Sequence, residues 1–205
     1  MPQVKSRREL YSEATRAALL DEATTLFAER GYAGTSLEDV ASASQVTRGA
    51  VYHHFASKQA LFEAVLDRHE GRATAEIAAA AATAIDPWDA AMLALDAFLT
   101  QCCDPTYGRL VWLEGPAALG WHRWRECEEK YAYGIVERFI NALIEGGYLE
   151  NRAVGTQVRF AFWMLGGAGL ALAEAPEEDK PRLRDEWGYL IRRTITGMRI
   201  SPRSE

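Results

Sequence analysis

A chain of 205 residues that is 48% hydrophobic and 25% charged is excluded from the wholly disordered and low-complexity classes and is long enough to bury a full core. Its net charge of −6 argues against a uniformly basic nucleic-acid binder, yet residues 1–58 carry seven Lys/Arg against seven Asp/Glu, so the acidic excess lies beyond residue 58. A neutral head with a few well-placed cations, joined to an acidic body, stays compatible with DNA as a partner.

Residues 1–11 are polar and basic and read as an arm. The stripe Leu19, Leu20, Ala23, Leu26 and Phe27 predicts a first helix over 12–30, stopped by Gly31. Thr35 with Glu38 fits a capping box, so a second helix starts near Ser36 and turns Leu37, Val40 and Ala41 inward. Residues 42–45 favour competing local hydrogen bonds and break it, and Thr47 caps a third, short helix. There Val51 and Phe55 point inward, leaving Thr47, Arg48, Gly49, Tyr52 and His53 outside, a helix-turn-helix in outline. Arg48 can fork onto the acceptor edge of guanine, Gly49 and Ala50 keep the helix slim enough for a major groove, and Tyr52 and His53 can reach phosphates. Ser57 caps a fourth helix over 58–84 with Leu61, Phe62, Val65 and Leu66 inward, and Lys58 offers a phosphate both an ammonium group and a helix N-terminus. Its alanine-rich end, 74–84, reads as a connecting rod that Gly71 weakens midway.

Asp86-Pro87 opens a fifth helix, striped by Trp88, Ala91, Met92, Leu95, Phe98, Leu99 and Cys102 and ended by Asp104-Pro105. A sixth spans 106–114 before Gly115-Pro116 breaks it, and three more cover 121–145, 156–174 and 180–198. No useful strand-like alternation occurs, so the predicted class is all-α with about nine helices.

Phe27, Gly31, Tyr32, Thr35, Ser36, Leu37, Val40, Ala41, Val46, Arg48, Gly49, Val51, Tyr52, Phe55, Lys58, Leu61 and Phe62 stand in an order and spacing, without a gap, that resembles the N-terminal domain of the TetR (tetracycline-repressor-like) family of one-component transcription regulators. The rest of the chain is similar in length and helical layout only. The resemblance implies a three-helix DNA-binding head over 1–58 and a helical ligand-binding and dimerisation domain over 59–205. It also implies a homodimeric repressor on an inverted-repeat operator of double-stranded DNA, released by a small, largely apolar effector. Carried over by position, the DNA contacts are Thr35, Thr47, Arg48, Gly49, Tyr52, His53 and Lys58.

The resemblance further implies a pocket among the fourth to eighth helices, for which Leu95, Leu99, Cys102, Trp112, Trp121, Trp124, Tyr131 and Phe162 are the expected lining. Aromatic residues on both sides of Gly115-Pro116 suit a ligand wall or plain core equally well. Glu128, on the stripe of Trp121, Trp124 and Tyr131, is either a buried polar anchor or the edge of that face. Dimerisation through the last two helices is expected at Phe162, Leu165, Gly166, Gly169, Leu170, Leu190, Thr194 and Met198, where close helix approach would offset the cost of glycine in a helix.

An enzyme is not expected, nor a cofactor or metal. His53 and His54 project about 100° apart on a helix rather than forming an i, i+4 pair, and Ser36 and the histidines match no catalytic pattern. His54 is expected half buried. Residues 1–10 hold no apolar stretch for a signal peptide and the most apolar run, 160–173, is too short to span a bilayer, so a cytoplasmic protein without a membrane partner is expected. Cys102, Cys103 and Cys127 fit reduced thiols. A thiol- or oxidant-responsive regulator using these cysteines and a ligand-independent DNA-binding protein stay open as alternatives.

Overall fold

The computed structural model describes residues 6–200, and they fold as nine helical rods with no strand, only a single bridge between Leu149 and Arg199. The rods are α1 (Arg7–Arg30), α2 (Leu37–Ala43), α3 (Arg48–His54), α4 (Lys58–Ala81), α5 (Pro87–Cys102), α6 (105–119), α7 (121–145), α8 (Val154–Glu174) and α9 (Lys180–Gly197).

Helix α1 starts five residues earlier than the apolar stripe predicts. Ser6 and Glu9 form a reciprocal capping box, with Ser6 N–H donating to Glu9 Oε2 at 2.7 Å and Glu9 N–H to Ser6 Oγ at 3.3 Å, which supports an exposed first turn without burial. The expected arm is thus helical from Arg7, and residues 1–5 lie outside the described residues. The box that starts α2 is also displaced by one: Ser36 and Asp39 form it, not Thr35 and Glu38. Thr35 is buried and its hydroxyl lies 3.2 Å from the Leu26 carbonyl and 3.0 Å from that of Gly31, so it locks the end of α1 against the start of α2.

Two predicted breaks are absent. Gly71 leaves α4 continuous, and Gly115-Pro116 leaves α6 continuous, because the preceding segment Gly108–Glu114 is widened to a π-helix that accommodates the proline ring and its missing donor. The real stop is Gly120, at φ +75°, whose N–H returns to the Pro116 carbonyl. Helix α7 carries a second π segment, Glu129–Tyr133. The alanine-rich end of α4 is not a bare rod: Ala73 is buried, and the small side chains let α4 and α5 pack along each other.

One buried apolar cluster runs without interruption from Leu19 in α1 through Leu61 and Phe62 in α4 to Trp112, Leu172 and Ile191, while Val136, Ile140, Leu143, Leu149, Val158 and Ala161 form a second. Phe27, Tyr32 and Phe62 join head to α4 through ring centroids 5.0–5.9 Å apart, in the offset and edge geometries aromatic quadrupoles favour. Head and body therefore share a core across residue 58.

Candidate functional site

Helix α3 is held from both ends. Thr47 caps it by accepting the Ala50 N–H, and Val51 and Phe55, 0% and 4% exposed, anchor its inner face. Arg48, Gly49, Tyr52 and His53 face solvent, while His54 is half buried as expected. Burial, then repulsion from His53 and Arg16, lowers the pKa of His54, which favours its neutral form.

Gly49 has an informative environment. A Cβ built on it would meet only Thr47 Oγ1, at 3.9 Å. Nothing inside the protein needs a glycine in this helix, although glycine there costs about 0.5–1 kcal/mol relative to alanine. The missing side chain matters only to a surface approaching from outside. Beside it Arg48 is preset: its Nε lies 2.8 Å from Glu38 Oε1, its Nη2 donates to Tyr52 OH at 3.3 Å, and its guanidinium sits 5.3 Å from the Tyr52 ring centre. With both Arg48 and Glu38 more than half exposed, such a pair is weak and readily exchanged for another acceptor.

Two expected DNA contacts are placed otherwise. The Thr35 side chain is buried as described. Lys58 Nζ donates to the Tyr32 carbonyl at 2.6 Å and the Thr35 carbonyl at 2.8 Å, and lies 4.2 Å from the centre of the Tyr32 ring. Its ammonium caps the end of the α1–α2 connection and ties it to α4, which leaves at most one of its three donors for a phosphate.

At the seam of the two apolar clusters lies a cavity of about 130 Å³, bordered by α4, α5, α6, α7, α8 and α9. Leu95, Trp112, Trp124 and Phe162 line it as expected. Four other expected residues do not. Leu99 and Cys102 are buried outside it, Leu99 against α9 near Gly188. Trp121, 52% exposed, stacks on Trp163 with rings 5.9 Å apart, and Tyr131 lies beside Lys130, which pairs with Asp67 of α4. Two lining groups that the spacing did not reveal are Glu70 and Tyr107, with Tyr107 OH donating to Glu70 Oε1 at 3.0 Å. Glu128 is the buried alternative of the two left open, 5% exposed. A polar residue at an inward position of α4 is a signal available in sequence; Ala73, Thr74 and Ile77 follow Glu70 on the same wall.

The carboxyls of Glu70 and Glu128 are both perturbed. Burial pushes Glu70 up to about 7, partly opposed by the Tyr107 hydrogen bond, while burial and then repulsion from Glu70 push Glu128 well above the ordinary carboxylate range. Burial also raises the thiols of Cys102, Cys103 and Cys127. A raised thiol is the opposite of a primed thiolate.

The cavity reaches the head by two routes. One is α4, whose Leu61 and Phe62 dock on the head and whose Glu70 to Ile77 line the cavity. The other was not legible in sequence: Glu114, in the π segment of α6, accepts the Tyr32 N–H at 2.7 Å, and its carboxylate fills the space beside Gly31, where a Cβ would come within 2.8 Å of it. Trp124, a cavity wall, donates its indole N–H to the Val111 carbonyl at 2.8 Å and rests against Gly115, so cavity and head meet through one short helical segment.

The residues expected at an interface fall on different sides of α8 and α9. Gly169 is not at an outer surface: a Cβ there would fall 2.4 Å from Trp112 Cζ2. Phe162 is buried, and Phe162, Leu165 and Gly166 line the cavity, while Met198 packs partly buried against the second apolar cluster. The outward apolar face is Phe160, Trp163, Gly167 and Leu170 on α8 with Tyr189, Leu190 and Thr194 on α9. Of the expected set, Leu170, Leu190 and Thr194 lie there.

A helix-turn-helix head carried by a long helix on a helical body with its own cavity is the plan of a transcription regulator. Residues 19–65 match the family model described as bacterial regulatory proteins, tetR family, and residues 88–198 match that described as tetracyclin repressor-like, C-terminal domain. The chain belongs to the tetR family. A TetR-family transcriptional regulator from Pectobacterium atrosepticum is 29% identical with a TM-score of 0.81, over 97% of this chain and 100% of that one. The TetC protein of transposon Tn10 from Escherichia coli is 25% identical over 146 residues, 71% of this chain and 74% of that protein. An HTH-type transcriptional repressor of Mycobacterium tuberculosis is 53% identical over 55 residues, 27% of this chain and 29% of that protein, so this match spans under a third of the relative's length. No helix among the described residues is long and apolar enough to cross a membrane.

Proposed function

We propose that the protein is a cytoplasmic transcriptional repressor that binds an inverted-repeat operator as a homodimer and releases it when a small, largely apolar effector fills the cavity. The observation that carries DNA binding is Gly49, open on the exposed face of α3 with Arg48, Tyr52 and His53 around it. Arg48 leaves Glu38 for a guanine edge, and Thr47, Tyr52 and His53 position the helix on phosphates. The outward face of Phe160, Trp163, Gly167, Leu170, Tyr189 and Leu190 supports pairing of two copies about a two-fold axis.

Release follows from continuity. Both α4 and the Trp124–Glu114 route join cavity to head, so a ligand that moves either changes the separation of the two recognition helices, which must enter the major groove in register. A coupling of about 1–3 kcal/mol changes operator affinity roughly 5–150-fold, and the operator weakens ligand binding by the same factor. Selection of genomic fragments on the purified protein tests the first half, with an inverted repeat as the expected result. Retrieval of unrelated fragments at random would sink it. For the second half, Leu95→Trp, which fills the cavity, should abolish ligand release of the selected operator.

A further inference from the structure

The cavity is apolar almost throughout, yet it holds two carboxyls that the protein itself does not neutralise. Glu70 and Glu128 are 4% and 5% exposed. Glu70 has one donor, Tyr107 OH, and Glu128 has no hydrogen-bond partner among the described residues. The one basic residue in the lining, Arg125, lies 3.7 Å from Glu129 and is not among the groups acting on Glu128. Burying a carboxyl without a partner is costly, and two in one apolar cavity are harder still to hold ionised. Around them stand Phe98, Trp112, Trp124, Phe139 and Phe162, whose ring faces attract cations.

We infer that the effector is an organic cation, an amine or ammonium compound whose charge is taken by Glu128 with Glu70 and whose apolar body fills the rest of the cavity. This assignment rests on reading the cavity as the effector site. A carboxylate ligand could meet Arg125 Nε and Trp112 Nε1, which lack hydrogen-bond partners among the described residues, but would face two acids, and a neutral donor would pair Glu128 without offsetting its charge. The cation instead replaces the proton that burial keeps on the carboxyl, so binding releases a proton and tightens as pH rises through the raised carboxyl range. The titratable groups acting on the pair are Cys102 from α5 and Tyr107 from α6; Arg125 from α7 stands elsewhere in the lining beside Glu129, and α8 and α9 present Phe162, Leu165 and Ile195. Cys102 and Tyr107 are themselves held neutral by burial, which leaves the two acids as the titrating groups.

The test is calorimetric titration of the full-length protein with three probes of one skeleton: phenylbutylamine, phenylbutanol and phenylbutyrate, in buffers of differing ionisation enthalpy. The expected result is binding of the amine about tenfold or more tighter than the alcohol, one pK unit of charge preference, with proton release, and loss of that preference in Glu128→Gln. Because Gln keeps the shape and removes the buried acid, this variant should fold at least as stably as the wild type, which thermal melting verifies. Equal binding of amine and alcohol overturns the charge assignment while leaving the cavity reading intact. Tightest binding by phenylbutyrate overturns it in favour of Arg125. Binding by none of the three at millimolar concentration also overturns it, and the cavity reading is then judged by the Leu95→Trp operator assay alone.

Discussion

The recognition helix and the cavity are built by opposite means. Around α3 the determinants are local: a cap three residues away, an inward pair one turn apart, and a guanidinium resting on a tyrosine one turn on. The cavity draws its wall from six helices separated by more than a hundred residues, and its distinctive groups, Glu70, Tyr107 and Glu128, come from three of them. Local construction makes the head a rigid reader whose side chains change little else. Distributed construction makes the cavity sensitive to any rod that moves, which suits a site whose occupancy must be felt elsewhere.

The largest expected effect separates two glycines of α8. Gly169→Leu drives a side chain into Trp112 and should cost about 3 kcal/mol or more, seen as a lowered melting temperature and altered tryptophan fluorescence. Gly167→Leu, on the outer face, should leave the melting of the subunit nearly unchanged and shift sedimentation toward monomer. If Gly169→Leu were stable and monomeric instead, the outward-face placement of the interface would be wrong.

On the head, Arg48→Ala should weaken the cognate operator by about 1–3 kcal/mol and random DNA little, because base contacts carry specificity. Lys58→Ala should act on folding: with the Tyr32 and Thr35 carbonyls left without their donor, the expected loss is about 1–2 kcal/mol in chemical denaturation. Equal losses on operator and random DNA for Arg48→Ala would remove its base-reading role.

The cavity acids give a pH signature that the head lacks. A carboxyl whose folded value is raised stabilises the folded state fully below the unfolded value near 4.5, and that contribution is lost as pH rises through the folded value, about 7 for Glu70. Stability should therefore fall between these limits in the wild type and fall less steeply in Glu70→Gln, which should be more stable above neutrality by about 1–3 kcal/mol. Parallel stability–pH curves for the two proteins would contradict the raised value.

The smallest effect sharpens the link between the regions. Glu114→Ala removes the acceptor of the Tyr32 N–H and should cost about 1 kcal/mol of stability. Its diagnostic consequence is a smaller ratio between operator affinities with and without ligand, measured by fluorescence anisotropy. An unchanged ratio would leave α4 as the sole connection.

Helix periodicity, proline and glycine punctuation and the capping residues were enough to read the all-α class, most helix ends and the outward set of α3, because those features act over three or four residues along the chain. Ser6 with Glu9 was legible in the same way, but without an apolar stripe above it the first turn of α1 passed as an arm. Tertiary structure decided what spacing could not. Thr35 and Ser36 both suit a cap, and the choice fell to Ser36 because Thr35 faces the end of α1. Gly115-Pro116 is a break in isolation and a continuous wall when π-helical widening lets Trp124 lie against it. Which glycine of α8 faces inward, which aromatics surround a cavity and which carboxyls are stranded in it depend on how distant rods cross, and sequence spacing within one helix carries no record of its neighbours.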